Sequence, residues 1–402
     1  MRPLASAAVL PKGFRFASAA CGLKKSGLDL GLILSDAPSS GACVFTTNLV
    51  KAAPVVISQE HIRCSADKIR AVIVNSGNAN CATGASGLAA SEQTAAAVAR
   101  AIGCRAEQIL VCSTGVIGLP LRVERILRAI PTLTDALAST SASFKQFTRA
   151  IMTTDTRPKW AAANCVVGGT QVRLLACAKG AGMIQPNMAT MLSFIVTDAA
   201  VPASVLRRVL REAVDTTFNS ITVDGDTSTN DTLTLLANGA SGAKTIRTGR
   251  DYQKFRSALE TVCRSLALQI VADGEGAHRV VEIEVRGAES REAASAIART
   301  IANSPLVKTA LAGGDPNWGR ILAAAGRAGV RFDPKRAEIR MAGIAMCRKG
   351  IPVRFDERAA HRKLLVKHVP IVLDLHAGIS SARMWTCDFT GDYVRINASY
   401  RS

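Results

Sequence analysis

The sequence predicts an α/β fold in which packed mixed β-sheets are flanked by helices. Strand and helix patterns alternate from one end of the 402-residue chain to the other. Short apolar runs at Ala71–Val74 and Ile109–Cys112 are typical of buried strands, whereas Val281–Val285 alternates apolar and charged residues as a half-exposed strand does. The length suits two or three domains, or two large lobes of one unit.

The other elements follow from the same patterns. Helix composition or spacing predicts helices over Leu88–Ile102, Ser204–Phe218, Tyr252–Ile270 and Ser290–Ala302. Apolar runs predict further strands over Met191–Val196, Ile371–Leu375 and Tyr393–Ile396. The stretch Asn75–Asn80 is rich in Gly and Asn, which predicts a loop directly after the first of these strands.

The net charge of +19 and the isoelectric point near 9.9 raise the possibility of a nucleic-acid-binding protein. Lys and Arg are spread along the chain, however, and the densest basic stretch, 348–367, has no interleaved aromatic residues that could stack on bases. We therefore expect no nucleic-acid partner. A basic surface of this kind also attracts anionic metabolites.

Cysteine usage and the absence of targeting signals indicate a cytoplasmic protein. The 11 cysteines form no C-x-x-C pair, so we expect most of them to be small buried side chains in a reducing compartment. The five histidines form no metal-binding motif, and no metal is expected. The apolar start is too short for a signal peptide, and no apolar run is long enough to span a membrane.

The segment from Lys179 to Leu192 is difficult to explain by structural requirements alone. Gly180 and Gly182 permit positive φ and a close backbone approach, Pro186 ends any helix, and the strand Met191–Val196 follows. The residues alone are equally consistent with a strand entered through a Gly/Pro loop. A phosphate-binding loop is not indicated, because the lysine precedes the glycines.

The same segment is nearly identical to the self-cleavage motif of the ornithine acetyltransferases, which are also called glutamate N-acetyltransferases. Further blocks that are similar to this family occur in order along the chain. They are Pro11–Phe14, Phe45–Asn48, Asn75–Asn80, Ser113–Gly115, Thr153–Thr156, Asp224–Asp226, Asn230–Asp231, Asp273–Gly276, Gly314–Gly319 and Asn397–Ser402. So many ordered blocks indicate that the resemblance covers the whole chain.

The resemblance implies a chain that cuts itself between Ala189 and Thr190 and remains together as two co-folded pieces. The pieces would be an α chain, 1–189, and a β chain, 190–402, and two of each would assemble into a tetramer. The fold implied is that of the ornithine acetyltransferases and of similar self-processing aminopeptidases. Cutting would free the Thr190 hydroxyl as nucleophile and create an α-amino group, with a reference pKa of about 7.7–8.0, as its base.

The resemblance also assigns the remaining site residues. Thr114 and Gly115 would stabilise the oxyanion; without the family, Thr-Gly after a strand is more often a simple turn. Substrate binding is assigned to Thr156, Lys179, Thr190, Glu275, Asn397 and Ser402. Taken alone, Lys179 and Glu275 are more often surface charges, and Asn397 and Ser402 belong to a tail. The family's spacing between Asn397 and Ser402 predicts that this tail docks into the site.

The activity implied is a ping-pong transfer of an acetyl group. N-acetylornithine would acetylate Thr190 and release ornithine, and glutamate would then take the acetyl group from the enzyme. Some family members also use acetyl-CoA as donor, and no residue of the sequence decides between the two patterns. No cofactor is expected.

The main alternative is a hydrolase of similar self-processing architecture, an aminopeptidase or amidase that passes the acyl group to water. The sequence also departs from the family pattern in three places. Ala181 replaces a common Ser, His278-Arg279 replaces a small polar residue and Lys, and the stretch His361 to His368 is unusually basic.

Overall fold

A computed structural model describes residues 10–185 and 191–399 of the chain. The chain divides into two compact units. The first contains Met1–Gly180, Pro186–Asn219 and Asp226–Ile270, and the second contains Ala181–Gln185, Ser220–Gly225 and Val271–Ser402. Within the described residues each unit holds one mixed β-sheet.

The first unit contains strands β1 to β8 and helices α1 to α6, the last of which ends just beyond the unit boundary. The strands are β1 Phe14–Ala19, β2 Leu30–Phe45, β3 Ile69–Asn78, β4 Ile109–Val116, β5 Lys159–Val167, β6 Thr170–Lys179, β7 Leu192–Thr197 and β8 Thr232–Ala237. The helices are α1 Ala53–Ser65, α2 Gly84–Ile102, α3 Val123–Asp135, α4 Ser141–Ala150, α5 Ala203–Asp215 and α6 Gly249–Ala272. The strand order is β4-β3-β2-β8-β7-β6-β5, with β1 paired to β2.

The long strand β2 joins two halves of this sheet. Its beginning, Leu30–Leu34, pairs with β3, and its end, Ser40–Phe45, pairs with β8. The two halves pack face to face, because alternate residues of β3 and β4 share one core with alternate residues of β6 and β7. These residues are Val72, Val74, Leu110, Cys112, Leu175, Cys177, Leu192 and Phe194.

The other face of β3 and β4 is covered by helices α2 and α3. Ala71 and Ile73 on β3 and Ile109 and Val111 on β4 point to this side, where they join a second core with side chains of both helices. Successive residues of a strand point to opposite faces, so a strand buried on both faces has a continuous apolar run. This explains Ala71–Val74, one of the runs from which a buried strand is predicted.

The second unit contains a six-stranded sheet and helices α7 to α11. The strands are β9 Val280–Ala288, β10 Glu338–Met341, β11 Ile344–Arg348, β12 Ile351–Pro352, β13 His368–Asp374 and β14 Ser380–Cys387, in the order β12-β11-β10-β13-β9-β14. The helices are α7 Arg291–Ala302, α8 Pro305–Ala312, α9 Trp318–Gly326, α10 Glu357–Leu364 and α11 Gly391–Ala398. The apolar residues of β9 pack with those of α7, α9 and α10, and its alternate residues are partly exposed.

The predicted fold class is confirmed, and the bounds of most predicted elements lie within four residues of the observed ones. Two of the predicted elements are wrong. Tyr393–Ile396 is helical, because the Thr390 hydroxyl caps α11 by accepting a hydrogen bond from the Asp392 N–H. The predicted loop Asn75–Asn80 is strand as far as Asn78, because its backbone remains paired with β4. None of the helices that the structure describes is long and apolar enough to cross a membrane.

Candidate active site

Thr114 and Gly115 lie within β4, near its end, so the expectation that they follow the strand is wrong. They pair with Ser76 and Gly77 of the parallel strand β3, and the register shifts just beyond this point. Gly115 has a φ of 134°, and a Cβ at this position would collide with the carbonyl carbon of Gly77. Only glycine allows this approach of the two backbones, so residue 115 is set by the strand pairing.

Polar residues from the family-like blocks brace this strand end. Asn230 donates from its side-chain amide to the carbonyl oxygens of Ser113, at 2.9 Å, and Ala79, at 2.6 Å. The Ser113 hydroxyl donates to the Oδ1 of Asn75 at 2.6 Å. All these side chains are buried, and the network fixes the backbone that leads into Thr114. The family resemblance identified these blocks, but it did not predict that their side chains fix the end of β4.

Lys179, the last residue of β6, reaches Thr114 across the core between the two halves of the sheet. Leu175 and Cys177 face this core from β6, and Lys179 continues the same alternation. Thr114 continues the inward-facing row of β4 in the same way. The Lys179 Nζ donates a hydrogen bond of 3.0 Å to the Thr114 Oγ1. The structure therefore brings together two of the predicted site residues.

This contact determines what the Thr114 hydroxyl can do. A lysine ammonium has donors and no acceptor, so it occupies a lone pair of the Thr114 oxygen and leaves the hydroxyl proton to be donated elsewhere. A cation bonded to the oxygen also makes the hydroxyl a stronger donor. The arrangement suits a group that stabilises negative charge developing on a reacting oxygen.

A buried carboxylate, Asp155, adjoins Lys179. Its Oδ1 accepts hydrogen bonds from the Lys159 Nζ at 2.5 Å and from the Gly180 N–H at 2.7 Å, and its Oδ2 accepts from the Thr153 N–H at 3.0 Å. Burial opposes its ionisation, but the ammonium groups of Lys179 and Lys159 and the Gly180 N–H outweigh burial and lower the pKa of Asp155 below its ordinary value. Asp155 belongs to the block Thr153–Thr156, although the sequence singled out only Thr156 there. Thr156 itself is exposed.

In the second unit, the structure brings Glu275 and Asn397 together. The Asn397 Nδ2 donates a hydrogen bond of 2.7 Å to the Glu275 Oε2, and the Glu275 N–H donates to the Ala181 carbonyl at 2.8 Å. Glu275 is only 7% exposed and therefore is not an ordinary surface charge. A Cβ on Gly182 would collide with the Glu275 carboxylate, so a glycine at 182 makes room for it. The sequence showed Gly182 only as a flexible position.

Helix α11 carries Asn397 to Glu275. The Thr390 hydroxyl, at the start of the helix, donates to the Gly276 carbonyl at 2.8 Å. The Tyr393 hydroxyl, one turn along, donates to the Asp224 Oδ2 at 3.3 Å. These contacts hold the helix against the loop that contains Glu275, so Asn397 does not belong to a frayed tail. The predicted residues Ala189, Thr190 and Ser402 lie outside the described residues.

Asp224 also fixes the backbone of the part of the Gly-rich segment that belongs to the second unit. It accepts hydrogen bonds from the Met183 N–H at 2.6 Å and the Ile184 N–H at 2.8 Å. Met183 has a φ of 55°, which is uncommon for a residue with a side chain. The Thr222 hydroxyl donates to the Ile184 carbonyl at 2.9 Å, so both sides of Ile184 are held. The block Asp224–Asp226 was visible in the sequence, but this use of Asp224 was not.

Arg279, which departs from the family pattern, forms an ion pair with a buried carboxylate. Its guanidinium lies 2.8 Å from the Asp388 Oδ2, and the Asp388 carboxylate is fully buried. The backbone N–H groups of His278 and Arg279 donate to the Asp388 Oδ1 at 2.8 Å and 2.9 Å. Asp388 therefore provides the negative charge and the hydrogen-bond acceptors for residues 278 and 279, which depart from the family pattern.

The sequence of residues 15–402 matches the ArgJ family. The arginine biosynthesis bifunctional protein ArgJ of Symbiobacterium thermophilum is 48% identical over 406 residues, which cover 100% of both chains. Its counterpart from Geobacter sulfurreducens is 49% identical over 97% of this chain and 99% of its own. The chain belongs to the ArgJ family. The resemblance found in the sequence is therefore confirmed, and this ArgJ chain is an acetyltransferase of arginine biosynthesis.

A solved structure gives the same result for the fold. The crystal structure of ArgJ from Bacillus halodurans has a TM-score of 0.51 and 42% sequence identity, and the match covers 52% of this ArgJ chain and 100% of the solved one. The matched half therefore shares its fold with a protein of the same family.

Proposed function

We propose that this ArgJ chain transfers the acetyl group of N2-acetyl-L-ornithine to L-glutamate through an acetyl-Thr190 intermediate, after cutting itself between Ala189 and Thr190. The observation that carries the proposal is the hydrogen bond from Lys179 to Thr114, because it prepares a hydroxyl donor for an oxyanion. Leu192 lies two residues after Thr190 in the sequence. Its side chain faces the core between the two halves of the sheet, as do the rows of side chains that end in Thr114 and Lys179.

The proposed cut begins with attack of the Thr190 hydroxyl oxygen on the carbonyl carbon of Ala189. The C–N bond breaks, the nitrogen takes up the proton and becomes the α-amino group of Thr190, and water hydrolyses the resulting ester. The chain is then an α chain, 1–189, and a β chain, 190–402. The new amine has a reference pKa of about 7.7–8.0, so near neutral pH it can accept the hydroxyl proton of Thr190.

Acetyl transfer then repeats the same chemistry on a substrate amide. The Thr190 oxygen attacks the acetyl carbon of N-acetylornithine, the amine of Thr190 passes its proton to the departing nitrogen, and ornithine leaves. The amine of glutamate attacks the acetyl ester and restores the Thr190 hydroxyl. Thr114 and Gly115 are the proposed oxyanion donors in both steps.

The proposed substrate-binding residues are those that the family resemblance implies, namely Thr156, Lys179, Thr190, Glu275, Asn397 and Ser402. The substrates carry carboxylates together with either an ammonium or a second carboxylate, and a lysine and a glutamate provide both signs of charge. The burial of Glu275 and its hydrogen bond from Asn397 support a specific role for this pair.

The relatives are named bifunctional, which supports a second activity. We propose that it is acetyl transfer from acetyl-CoA to glutamate, with no bound cofactor. We also propose an assembly of two α and two β chains that acts in the cytoplasm without a nucleic-acid or membrane partner.

The acceptor distinguishes a transferase from a hydrolase. Purified protein is incubated with N-acetylornithine, with and without glutamate, and ornithine, N-acetylglutamate and acetate are quantified. We expect glutamate to accelerate ornithine release and N-acetylglutamate to form in equal amount. Acetate formation at a rate that glutamate does not change would instead identify a hydrolase.

A further inference from the structure

Asp155 is a buried carboxylate that the proposed chemistry does not use. Its side chain and that of Lys159 are both fully buried, and their charged atoms are 2.5 Å apart. Taking two charges out of water is costly, and replacement of such a pair by apolar residues is often neutral or stabilising. Stability therefore does not explain why a buried ion pair occurs at this location.

The second partner of Asp155 indicates what it does. The carboxylate also accepts the Gly180 N–H at 2.7 Å, and Gly180 directly follows Lys179 at the end of β6. Gly180 has a φ of 152°, which lies outside the range that residues with a side chain usually adopt. The peptide after Lys179 is therefore held from outside the strand ladder, by a charge-assisted hydrogen bond.

We propose that Asp155 is a positioning residue for acetyl transfer, which holds the Lys179–Gly180 peptide so that the Lys179 ammonium meets the Thr114 hydroxyl. The inference rests on the proposed function, in which Thr114 stabilises the oxyanion. Lysine has four rotatable side-chain bonds, so the direction in which it leaves the backbone decides whether its ammonium reaches a fixed hydroxyl. Asp155 acts through Lys179 and does not touch the substrate.

The neighbouring lysines fit this arrangement. Lys159 neutralises the carboxylate within the fold, which keeps it an acceptor for the Gly180 N–H. Lys24 is half-buried and donates to the carbonyl oxygens of Met152, at 2.7 Å, and Leu28, at 3.0 Å. The first of these contacts ties down the chain three residues before Asp155. The segment that leads into Asp155 is therefore fixed where Asp155 meets Gly180.

The test is a double-mutant cycle between Asp155 and Thr114. Removing Asp155 alone would leave the Lys159 ammonium buried without its carboxylate, so both members are replaced in the variant Asp155→Ala/Lys159→Met. The readout is the single-turnover rate of Thr190 acetylation at saturating N-acetylornithine, which removes any effect on substrate binding, measured per cut chain by intact mass. We expect a loss of roughly 100-fold, the scale of a misplacement of about 1 Å.

In a Thr114→Val background the same pair of changes should alter the rate by less than about threefold, because residues that act through one contact are not additive. A loss of equal size in both backgrounds, or an unchanged rate in the first, would overturn the proposal. The wild-type protein serves as reference, because failure of Thr190 to become acetylated in it would refute the proposed function instead.

A further variant protects the test against misfolding. In Asp155→Asn/Lys159→Met the asparagine amide has one oxygen, which can accept from the N–H of Gly180 or of Thr153 but not from both. We therefore expect the acetylation rate to fall about tenfold, with the same dependence on Thr114. The cycle is read from this variant if the alanine variant does not fold, and from the rate of self-cutting if a variant cuts itself too slowly to supply cut chain for the acetylation assay. No loss for the asparagine variant would equally overturn the proposal.

A matched control comes from the other end of β6. Arg173 lies 3.5 Å from the buried carboxylate of Asp198. Arg173→Met/Asp198→Asn removes another ion pair whose carboxylate is fully buried, and it is expected to change the melting temperature but not the acetylation rate per folded, cut chain. A rate loss in this control as large as that of the Asp155 variants would assign the effect to general destabilisation and overturn the positioning role.

Discussion

The Lys179 ammonium lies 3.0 Å from the Thr114 hydroxyl oxygen, where the inward-facing rows of β6 and β4 end. The two residues are 65 positions apart in the sequence, and the packing of the two halves of the sheet brings them together. Because the ammonium can only donate, the Thr114 hydroxyl keeps its proton for another acceptor. The contact links the architecture of the first unit to the stabilisation of an oxyanion.

Thr114→Val tests the hydroxyl directly. Valine has nearly the same shape but cannot donate, so we expect the rate constant for acetyl transfer to fall roughly 100- to 1000-fold, as for the loss of one oxyanion donor. Thr114→Ser keeps the hydroxyl and is the matched control. Steady-state kinetics with N-acetylornithine and glutamate measure both variants, and equal activity of the valine and serine variants would exclude the hydroxyl from catalysis.

Gly182→Ala tests the space that Glu275 occupies. An added Cβ would collide with the Glu275 carboxylate, which must move and lose its hydrogen bond from Asn397. We expect KM for N-acetylornithine to rise about tenfold or more, since a charge-assisted hydrogen bond contributes about 1.5–3 kcal/mol. Gly326→Ala is the control, because no neighbouring atom lies within 4 Å of a Cβ at that position. Equal KM values for the two variants would remove Glu275 from substrate binding.

Asp155 should make the stability of the chain depend on acid pH. Folding lowers its pKa below the ordinary value of 3.8, despite the opposing effect of burial. An acid of this kind stabilises the native state above its ordinary pKa, and the contribution is lost as pH falls through the folded value.

The free energy of unfolding in urea, measured at several pH values on both sides of 4, checks this expectation. Wild-type protein should lose stability on acidification below about pH 4 more steeply than Asp155→Asn/Lys159→Met, which lacks the titrating group. Parallel curves for the two proteins would show that Asp155 has the same pKa in the folded and unfolded states.

The sequence predicted the fold class and the strands with long apolar runs because local periodicity determines them. It could not predict the contact between Lys179 and Thr114 from periodicity, since that contact depends on which strands pack across the core. The family resemblance supplied both residues but not Asp155 or Gly182, whose roles are visible only through their neighbours. The pattern of Tyr393–Ile396 predicts a strand although these residues are helical, because a run of four residues is too short for periodicity to distinguish the two.

The proposed function depends on Thr190, and the intact mass of the protein under denaturing conditions tests its role most directly. The protein is measured alone, after incubation with N-acetylornithine, and after subsequent addition of glutamate. The proposed function predicts two chains, 1–189 and 190–402, of which the second gains one acetyl group with N-acetylornithine and loses it to glutamate. A single uncut chain of 402 residues, or a cut chain that is never acetylated at Thr190, would contradict it.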